Sequence, residues 1–177
     1  DLANGESWSL NFSQTERREA AGILADWSSG KGFIAFSIGA KIDYKSWSLD
    51  NWRQVLAALS QNHRDLGLVM VGAAGDSIAS GQAAEVWQGP VLDLCGRTSP
   101  RISALVIEGA ALYMGHDSGP MHLAANVGTP SVAVFSTHAR PGVWFPRGAH
   151  HRVFYPGLAW SGGDPTVMRD ALGETNI

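Results

Sequence analysis

The sequence has a single cysteine, Cys95, in 177 residues, so no disulfide can form within the chain. A lone cysteine is also typical of a reducing compartment. No uncharged apolar run approaches the roughly 18 residues that a membrane-spanning helix requires. Basic blocks are missing too, and the net charge of −3 argues against a nucleic-acid partner. The chain begins at Asp1 rather than Met and carries no recognisable signal peptide.

What the sequence does contain fits a globular α/β domain. Hydrophobic residues make up 45% of the chain, enough for a sizeable core, and the length suits one domain. The 21 glycines exceed the ordinary usage of about 7%, as expected where loops bring backbone close to a ligand. Residues 1–12 are mixed and polar and predict a linker or N-terminal extension, which leaves 13–177 as the domain.

Apolar runs of strand length alternate with segments of helical periodicity along the chain. Strands are predicted at 33–38, 68–71, 91–94, 111–114, 132–135 and, at the edge of the sheet, 152–155. Helices are predicted at 13–27, 48–59, 76–87, 100–109, 118–128 and 167–172. This alternation indicates a Rossmann-like, doubly wound and mostly parallel sheet. Right-handed crossovers then bring the loops after residues 38, 71, 114 and 135 to one edge.

The most informative stretch runs from Met114 to Pro130 and predicts a strand, a turn and a short helix. Asp117 or Ser118 can cap this helix, and Gly128 is suited to end it. A helix N-terminus that points out of the carboxyl end of a strand is a ready site for phosphate.

Two residues beside that turn favour an anion. Gly119 lets a phosphate approach the backbone because it has no Cβ, and His122 can donate to an anionic oxygen. From these residues alone, a well-capped helix with a buried histidine is an equally good interpretation.

The run Asp-Ser-Gly-Pro-Met-His-Leu-Ala-Ala at 117–125 closely resembles the signature of glycosyltransferase family 9, together with Gly-Thr-Pro at 128–130 and Val-Ala-Val-Phe at 132–135. That family comprises the ADP-heptose:lipopolysaccharide heptosyltransferases and their relatives. The resemblance implies a GT-B enzyme, in which two Rossmann-like domains face a cleft. This chain is similar to the C-terminal, nucleotide-sugar-binding half, without the N-terminal acceptor domain.

The resemblance also implies roles for the residues of the motif. Ser118 and Gly119 would contact the diphosphate or the sugar, and His122 would meet phosphate. Asp117 would order the sugar hydroxyls or the turn, because a carboxylate is repelled by a diphosphate.

The loops after the first two strands supply three further donor-binding candidates. In the family, a Lys two residues before a Trp contacts the donor phosphates, and Lys45 matches this pattern. Lys41 lies in the same loop, where Gly39-Ala40-Lys41 replaces the family's small or hydroxyl residues; without the resemblance, both lysines are solvated loop residues. Asp76 either reads the nucleoside, as an acidic residue often does in the family, or caps a helix without touching ligand.

The implied activity is inverting transfer of a heptose from an ADP-heptose-like donor to lipopolysaccharide or another glycan or lipid-linked acceptor. The resemblance implies a cytoplasmic enzyme, with peripheral association of the full enzyme at the inner face of the bacterial inner membrane. No metal or other cofactor is expected. The catalytic base is expected in the absent domain, so this chain is predicted to hold no catalytic residue and to be inactive alone.

Two other interpretations remain open at this point. A non-catalytic module derived from a transferase domain would bind a nucleotide or a protein through the same fold. A dehydrogenase is disfavoured because no G-x-G-x-x-G follows the first strand. His150 and His151 are predicted to lie at the surface rather than to bind a metal, because no Cys or carboxylate at metal-ligand spacing accompanies them. Trp144 is a candidate for lining the cleft.

Overall fold

A computed structural model describes residues 10–25, 27, 31–39, 46–136, 140, 142–155 and 158–160. The described chain forms five α-helices and seven strands. The helices are α1 (Gln14–Ala25), α2 (Leu49–Asn62), α3 (Ser77–Ala84), α4 (Pro100–Glu108) and α5 (Gly119–Asn126). The strands are β1 (Phe33–Ser37), β2 (Gly67–Met70), β3 (Val91–Asp93), β4 (Leu112–His116), β5 (Ser131–Val134), β6 (His151–Tyr155) and β7 (Leu158–Trp160).

All seven strands belong to one sheet in the order β3-β2-β1-β4-β5-β6-β7. The first six pair in parallel, and β7 adds to β6 in the antiparallel sense. The predicted Rossmann-like, mostly parallel sheet is therefore confirmed. One detail differs: the strand predicted at the edge is internal, because β7 pairs along its outer side.

The sheet is buried on both faces, which is why its central strands are continuous apolar runs. Every residue of β1 is buried. Phe33 and Ala35 join the core cluster that contains residues of α1, α4 and α5, whereas Ile34 and Phe36 join the cluster that contains residues of α2 and α3. Successive side chains of a strand point to opposite faces, so β1 contributes side chains to both core clusters.

Three of the described helices have a serine at the N-terminus whose side chain caps the first turn. Ser13 and Glu16 form a reciprocal capping box at α1, in which the Ser13 hydroxyl accepts from the Glu16 N–H at 3.2 Å and a Glu16 carboxylate oxygen accepts from the Ser13 N–H at 2.8 Å. Ser48 caps α2 by accepting from Asn51 N–H at 3.2 Å. Ser99 caps α4 in the same way.

The strand order reverses direction between β1 and β4, and this placement decides where a ligand can bind. The chain runs outward from β1 to β2 and β3, and then returns to the other side of β1 to form β4. The connections on either side of this point diverge, which opens a crevice outside the carboxyl ends of β1 and β4.

Two boundaries differ from the sequence prediction at this edge of the sheet. β4 continues through Gly115 and His116, which pair with β5 and were expected to belong to the turn. The helix predicted at 76–87 is α3, and it follows a single 3-10 turn at Ala74–Asp76. The helix predicted at 167–172 lies outside the described residues. Among the described helices, none is both long and apolar enough to cross a membrane.

Candidate functional site

The N-terminus of α5 opens at the carboxyl end of β4, as the sequence predicted. Ser118 is the N-cap residue in an extended conformation, but its side chain does not cap the helix. The Ser118 hydroxyl instead donates weakly to the His116 carbonyl, at 3.4 Å. The expected side-chain cap from Ser118 is thus not formed. Its backbone carbonyl accepts from the N–H groups of Met121 and His122, at 3.1 and 3.4 Å, and Pro120 has no N–H. Within the described first turn, the Gly119 N–H is therefore the group left for a ligand, and together with the helix dipole it attracts an anion.

The start of α5 is open at Gly119. A Cβ built on Gly119 would meet no atom within 4 Å. The fold itself therefore does not require glycine at this position. An oxyanion could approach the backbone there from the solvent side.

His122 lies one turn further along α5 and faces Asp117. The side chain of His122 is 46% exposed, whereas that of Asp117 is 5% exposed, and His122 Nε2 is 3.7 Å from Asp117 Oδ1. The indole of Trp144 stands edge-on to the imidazole, with ring centroids 6.0 Å apart. Trp144 is itself largely exposed. The three side chains thus form one polar and aromatic wall beside the N-terminus of α5.

Asp76 is the last residue of the 3-10 turn between β2 and α3, and its carboxylate bonds back to the residue before that turn. Asp76 Oδ2 accepts from the Ala73 N–H at 2.8 Å. A Cβ on Gly39 would stand only 2.2 Å from this carboxylate, so the end of β1 packs directly against it. Although Asp76 occupies the N-cap position of α3, its side chain makes no cap hydrogen bond to that helix. A role in reading the nucleoside remains a prediction.

The structure brings together Asp117, Ser118, Gly119 and His122 at one end of the sheet. Lys41 and Lys45, the two candidates for neutralising the donor phosphates, lie outside the described residues. Among the described residues, no group of three or more His, Cys, Asp or Glu side chains is placed to hold a metal ion.

His116 was missed by the sequence analysis, although it lies next to the motif. Its ring is completely buried, and Nδ1 lies 2.9 Å from the Ile38 carbonyl. A carbonyl can only accept, so Nδ1 carries the proton and Nε2 is the acceptor. Nε2 accepts from the backbone N–H of Trp47 at 2.7 Å and from the indole N–H of Trp52 at 3.1 Å. Burial lowers the pKa of His116, which keeps the ring neutral near pH 7.

Tyr113 is a second buried polar group that the sequence did not reveal. Its ring is completely buried in β4, and its hydroxyl has no hydrogen-bond partner within the described chain. A Cβ on Gly115 would meet this hydroxyl at 2.3 Å, so the phenol fills the space beside the glycine. Burial raises the pKa of Tyr113. An apolar run such as residues 111–114 predicts burial but does not identify a polar atom within it.

The prediction for His151 was wrong. Its neighbour His150 is exposed, but His151 is completely buried in β6, and its Nδ1 lies 2.7 Å from the Ser131 hydroxyl of β5. The two residues are opposite each other in the parallel ladder. Burial, assisted by the charge of His150, lowers the pKa of His151 to about 4. This histidine lies at the amino end of the strands, away from the candidate site.

The fold and the site together define a class. A doubly wound sheet with a helix N-terminus open at its switch point is the architecture of α/β domains that bind nucleotides and other phosphorylated ligands. The family description "Glycosyltransferase family 9 (heptosyltransferase)" matches residues 1–155. The chain belongs to this family, as the resemblance of its motif implied.

Individual relatives agree with this assignment. Lipopolysaccharide heptosyltransferase 3 of Escherichia coli K12 is 32% identical over 108 residues, which cover 58% of this chain and 30% of that protein. The glycosyltransferase family 9 structure from Veillonella parvula superposes with a TM-score of 0.74 at 20% identity, covering 95% of this chain and 47% of the other. The E. coli heptosyltransferase WaaC, solved with ADP, gives a TM-score of 0.63 at 22% identity, covering 89% and 48%. The chain therefore spans about a third of the curated relative and about half of each solved one.

Proposed function

We propose that this chain is the donor-binding half of an inverting GT-B heptosyltransferase, and that it holds the diphosphate of an ADP-heptose-like nucleotide sugar. One observation carries the proposal. The N-terminus of α5 opens at the switch point. The side chain of Ser118 makes no cap bond to this helix, the space at Gly119 is open, and His122 is exposed beside it. A relative of the same fold was solved with ADP, which supports a nucleoside diphosphate as the ligand.

The chemistry of the site suits the departure of a nucleoside diphosphate. Breaking the bond between the sugar and the diphosphate leaves negative charge on the departing oxygen, and preorganised donors lower the free energy of that charge. The Gly119 N–H at the start of α5 and the His122 ring supply such donors here, and the helix dipole adds to them. Lys45, by its resemblance to the family pattern, would add a positive charge. Asp117 is better suited to sugar hydroxyls, since a carboxylate repels phosphate.

Activation of the acceptor is assigned to a domain other than this one. Transfer also requires a base that removes a proton from the acceptor hydroxyl. The proposal places that base, and the binding of a lipopolysaccharide, glycan or lipid-linked acceptor, in an N-terminal domain. The isolated 177-residue chain is therefore expected to bind donor weakly and to transfer no sugar. Transfer detected with this chain alone would contradict that division of labour.

Calorimetric titration tests the donor site directly. We expect ADP to bind more tightly than AMP, and UDP and GDP to rank the nucleobase preference. His122→Ala and Lys45→Ala should each weaken ADP binding about tenfold or more, the value of one charge-assisted hydrogen bond. His150→Ala and Lys31→Ala are matched controls, because both residues are exposed and neither belongs to the proposed site.

Two outcomes would count against the proposal. Equal affinity for ADP and AMP would show that the second phosphate is not recognised. Absence of ADP binding at millimolar concentration would favour a module that has lost its nucleotide or that recognises a protein instead.

A further inference from the structure

His116 occupies a position from which it can control the geometry of the switch point. It is the last residue of β4 and immediately precedes Asp117. Two of its three polar contacts reach the chain that connects β1 with α2, and the third reaches Trp52 in the first turn of α2. The Ile38 carbonyl lies at the start of that connection, and Trp47 lies at its end.

The contacts use every polar atom of the ring. The Nδ1–H group is donated to Ile38, and the lone pair of Nε2 is shared between the Trp47 N–H and the indole N–H of Trp52. The ring is also packed edge-on against Trp52, with centroids 5.1 Å apart, and Trp52 packs in turn against Trp47. No asparagine or aliphatic residue could make both sets of hydrogen bonds from this position.

This arrangement relates two parts of the chain that are far apart in sequence. The ring joins the strand end that leads into the Asp117-Ser118-Gly119 turn to both residues that flank the segment 39–46. That segment contains Lys41 and Lys45 in the sequence. The completely buried His116 ring thus adds, beside the β1–β4 pairing that ends at Ser37 and Gly115, a link to Trp47 at the other end of that segment.

We propose that His116 is a positioning residue that fixes both ends of the β1–α2 connection against the phosphate-binding turn and thereby sets the affinity for the donor diphosphate. The inference rests on the proposed function, because it assigns a cause to donor affinity. His116 does not itself touch the donor in this proposal. Its effect is exerted through the Ile38 carbonyl and the Trp47 N–H.

Two substitutions separate the contacts. His116→Asn places an amide N–H near the position of Nδ1, which preserves donation to Ile38 but leaves the Trp47 and Trp52 donors without an acceptor. His116→Phe keeps a ring and removes every polar contact. His151→Phe is the matched control, since His151 is an equally buried histidine with one side-chain hydrogen bond at the other end of the sheet.

The first readout is the affinity for ADP, measured at a temperature at which each variant is folded. We expect His116→Asn to weaken ADP binding about tenfold and His116→Phe to weaken it further, whereas His151→Phe should lower the melting temperature without changing the affinity. Wild-type affinity in folded His116→Asn would overturn the inference. If His116→Phe does not fold, the Asn variant and its control decide the matter.

The second readout does not depend on nucleotide. In the wild-type chain, NMR should show the Trp47 N–H protected from solvent exchange, and this protection should be lost in His116→Asn. Protection that persists in the variant would overturn the positioning role even where ADP binds. A wild-type chain that binds no ADP would instead refute the proposed function, and with it the part of this inference that concerns affinity.

Discussion

An alanine at position 119 would test whether the N-terminus of α5 binds phosphate, because it alters the site without disturbing the fold. A Cβ on Gly119 meets no atom within 4 Å. The same change at Gly115, four residues earlier, meets the Tyr113 hydroxyl at 2.3 Å and the Ser37 carbonyl at 2.7 Å. The pair therefore offers one chemical change in an open and in a filled environment.

The two substitutions should change the free energy of unfolding in opposite directions. Gly119→Ala should raise the free energy of unfolding by up to about 1 kcal/mol, because alanine has less conformational freedom to lose on folding. Gly115→Ala should lower it by about 1 to 3 kcal/mol, since the Ser37 backbone cannot move away without breaking the pairing of β1 with β4. At roughly 2 to 4 °C per kcal/mol, the melting temperatures should move in opposite directions.

The affinity for ADP should fall in Gly119→Ala, the variant whose stability is expected to rise. In the proposed site, the new methyl group of Gly119→Ala would stand beside the Gly119 N–H, where a phosphate oxygen would approach. Loss of one hydrogen bond to a charged oxygen costs about 1.5 to 3 kcal/mol, which corresponds to a ten- to hundredfold weaker affinity for ADP. Differential scanning calorimetry and isothermal titration on the same samples measure both quantities. A Gly119→Ala chain that is folded and binds ADP as the wild type does would refute the phosphate site at α5.

Three further predictions concern the rest of the fold. Burial lowers the pKa of folded His151 to about 4, whereas an unfolded histidine binds its proton near pH 6.5. The free energy of unfolding should therefore fall by up to about 3 kcal/mol between pH 6.5 and 4. In thermal melts, the melting temperature of His151→Gln should depend less on pH than that of the wild type. Arg101→Ala removes the ion pair with Glu16 and the hydrogen bonds to the chain before α1. It should speed proteolysis of the chain before α1 while lowering the free energy of unfolding by less than about 1 kcal/mol. An unchanged rate of cleavage would contradict this. Thr129→Val should lower the free energy of unfolding by about 1 kcal/mol, because the Ile107 carbonyl loses the Thr129 hydroxyl at 2.8 Å and keeps the Ala110 N–H at 3.0 Å. Urea unfolding measures this, and a neutral result would show that the hydroxyl bond contributes little.

The sheet could be predicted from the sequence because its signal is local. Continuous apolar runs such as 33–38 and 132–135 predict buried parallel strands, and Ser13, Ser48 and Ser99 mark helix starts by their own side chains. The helix at the motif was recognisable from Pro120 and Gly128, the latter with the positive φ of 78° that ends the helix. The family followed from the motif that this helix carries.

The polar interior could not be predicted in the same way. His116 and His151 look like turn or surface residues in the sequence, because histidine has no hydrophobic signal. Each ring has its hydrogen-bond partners far away in the chain: Ile38 and Trp47 for the first, and Ser131, which bonds one ring nitrogen, for the second. Such pairings depend on strand order and register, which a local pattern does not contain. The roles of the candidate donor-binding residues stay predictions for the same reason, since they depend on a ligand.

The most direct measurement is a titration of the 15N-labelled chain with ADP followed by amide chemical shifts. The account predicts that the changing resonances cluster at the switch point, on Gly119, Met121 and His122 of α5 and on Ile38 and Gly39 at the end of β1. The groove between α1 and α4, lined by Arg17 and Glu108, serves as an internal control and should not respond. Shifts confined to that groove, or scattered over the sheet, would contradict the claim that this domain holds the donor diphosphate at the N-terminus of α5.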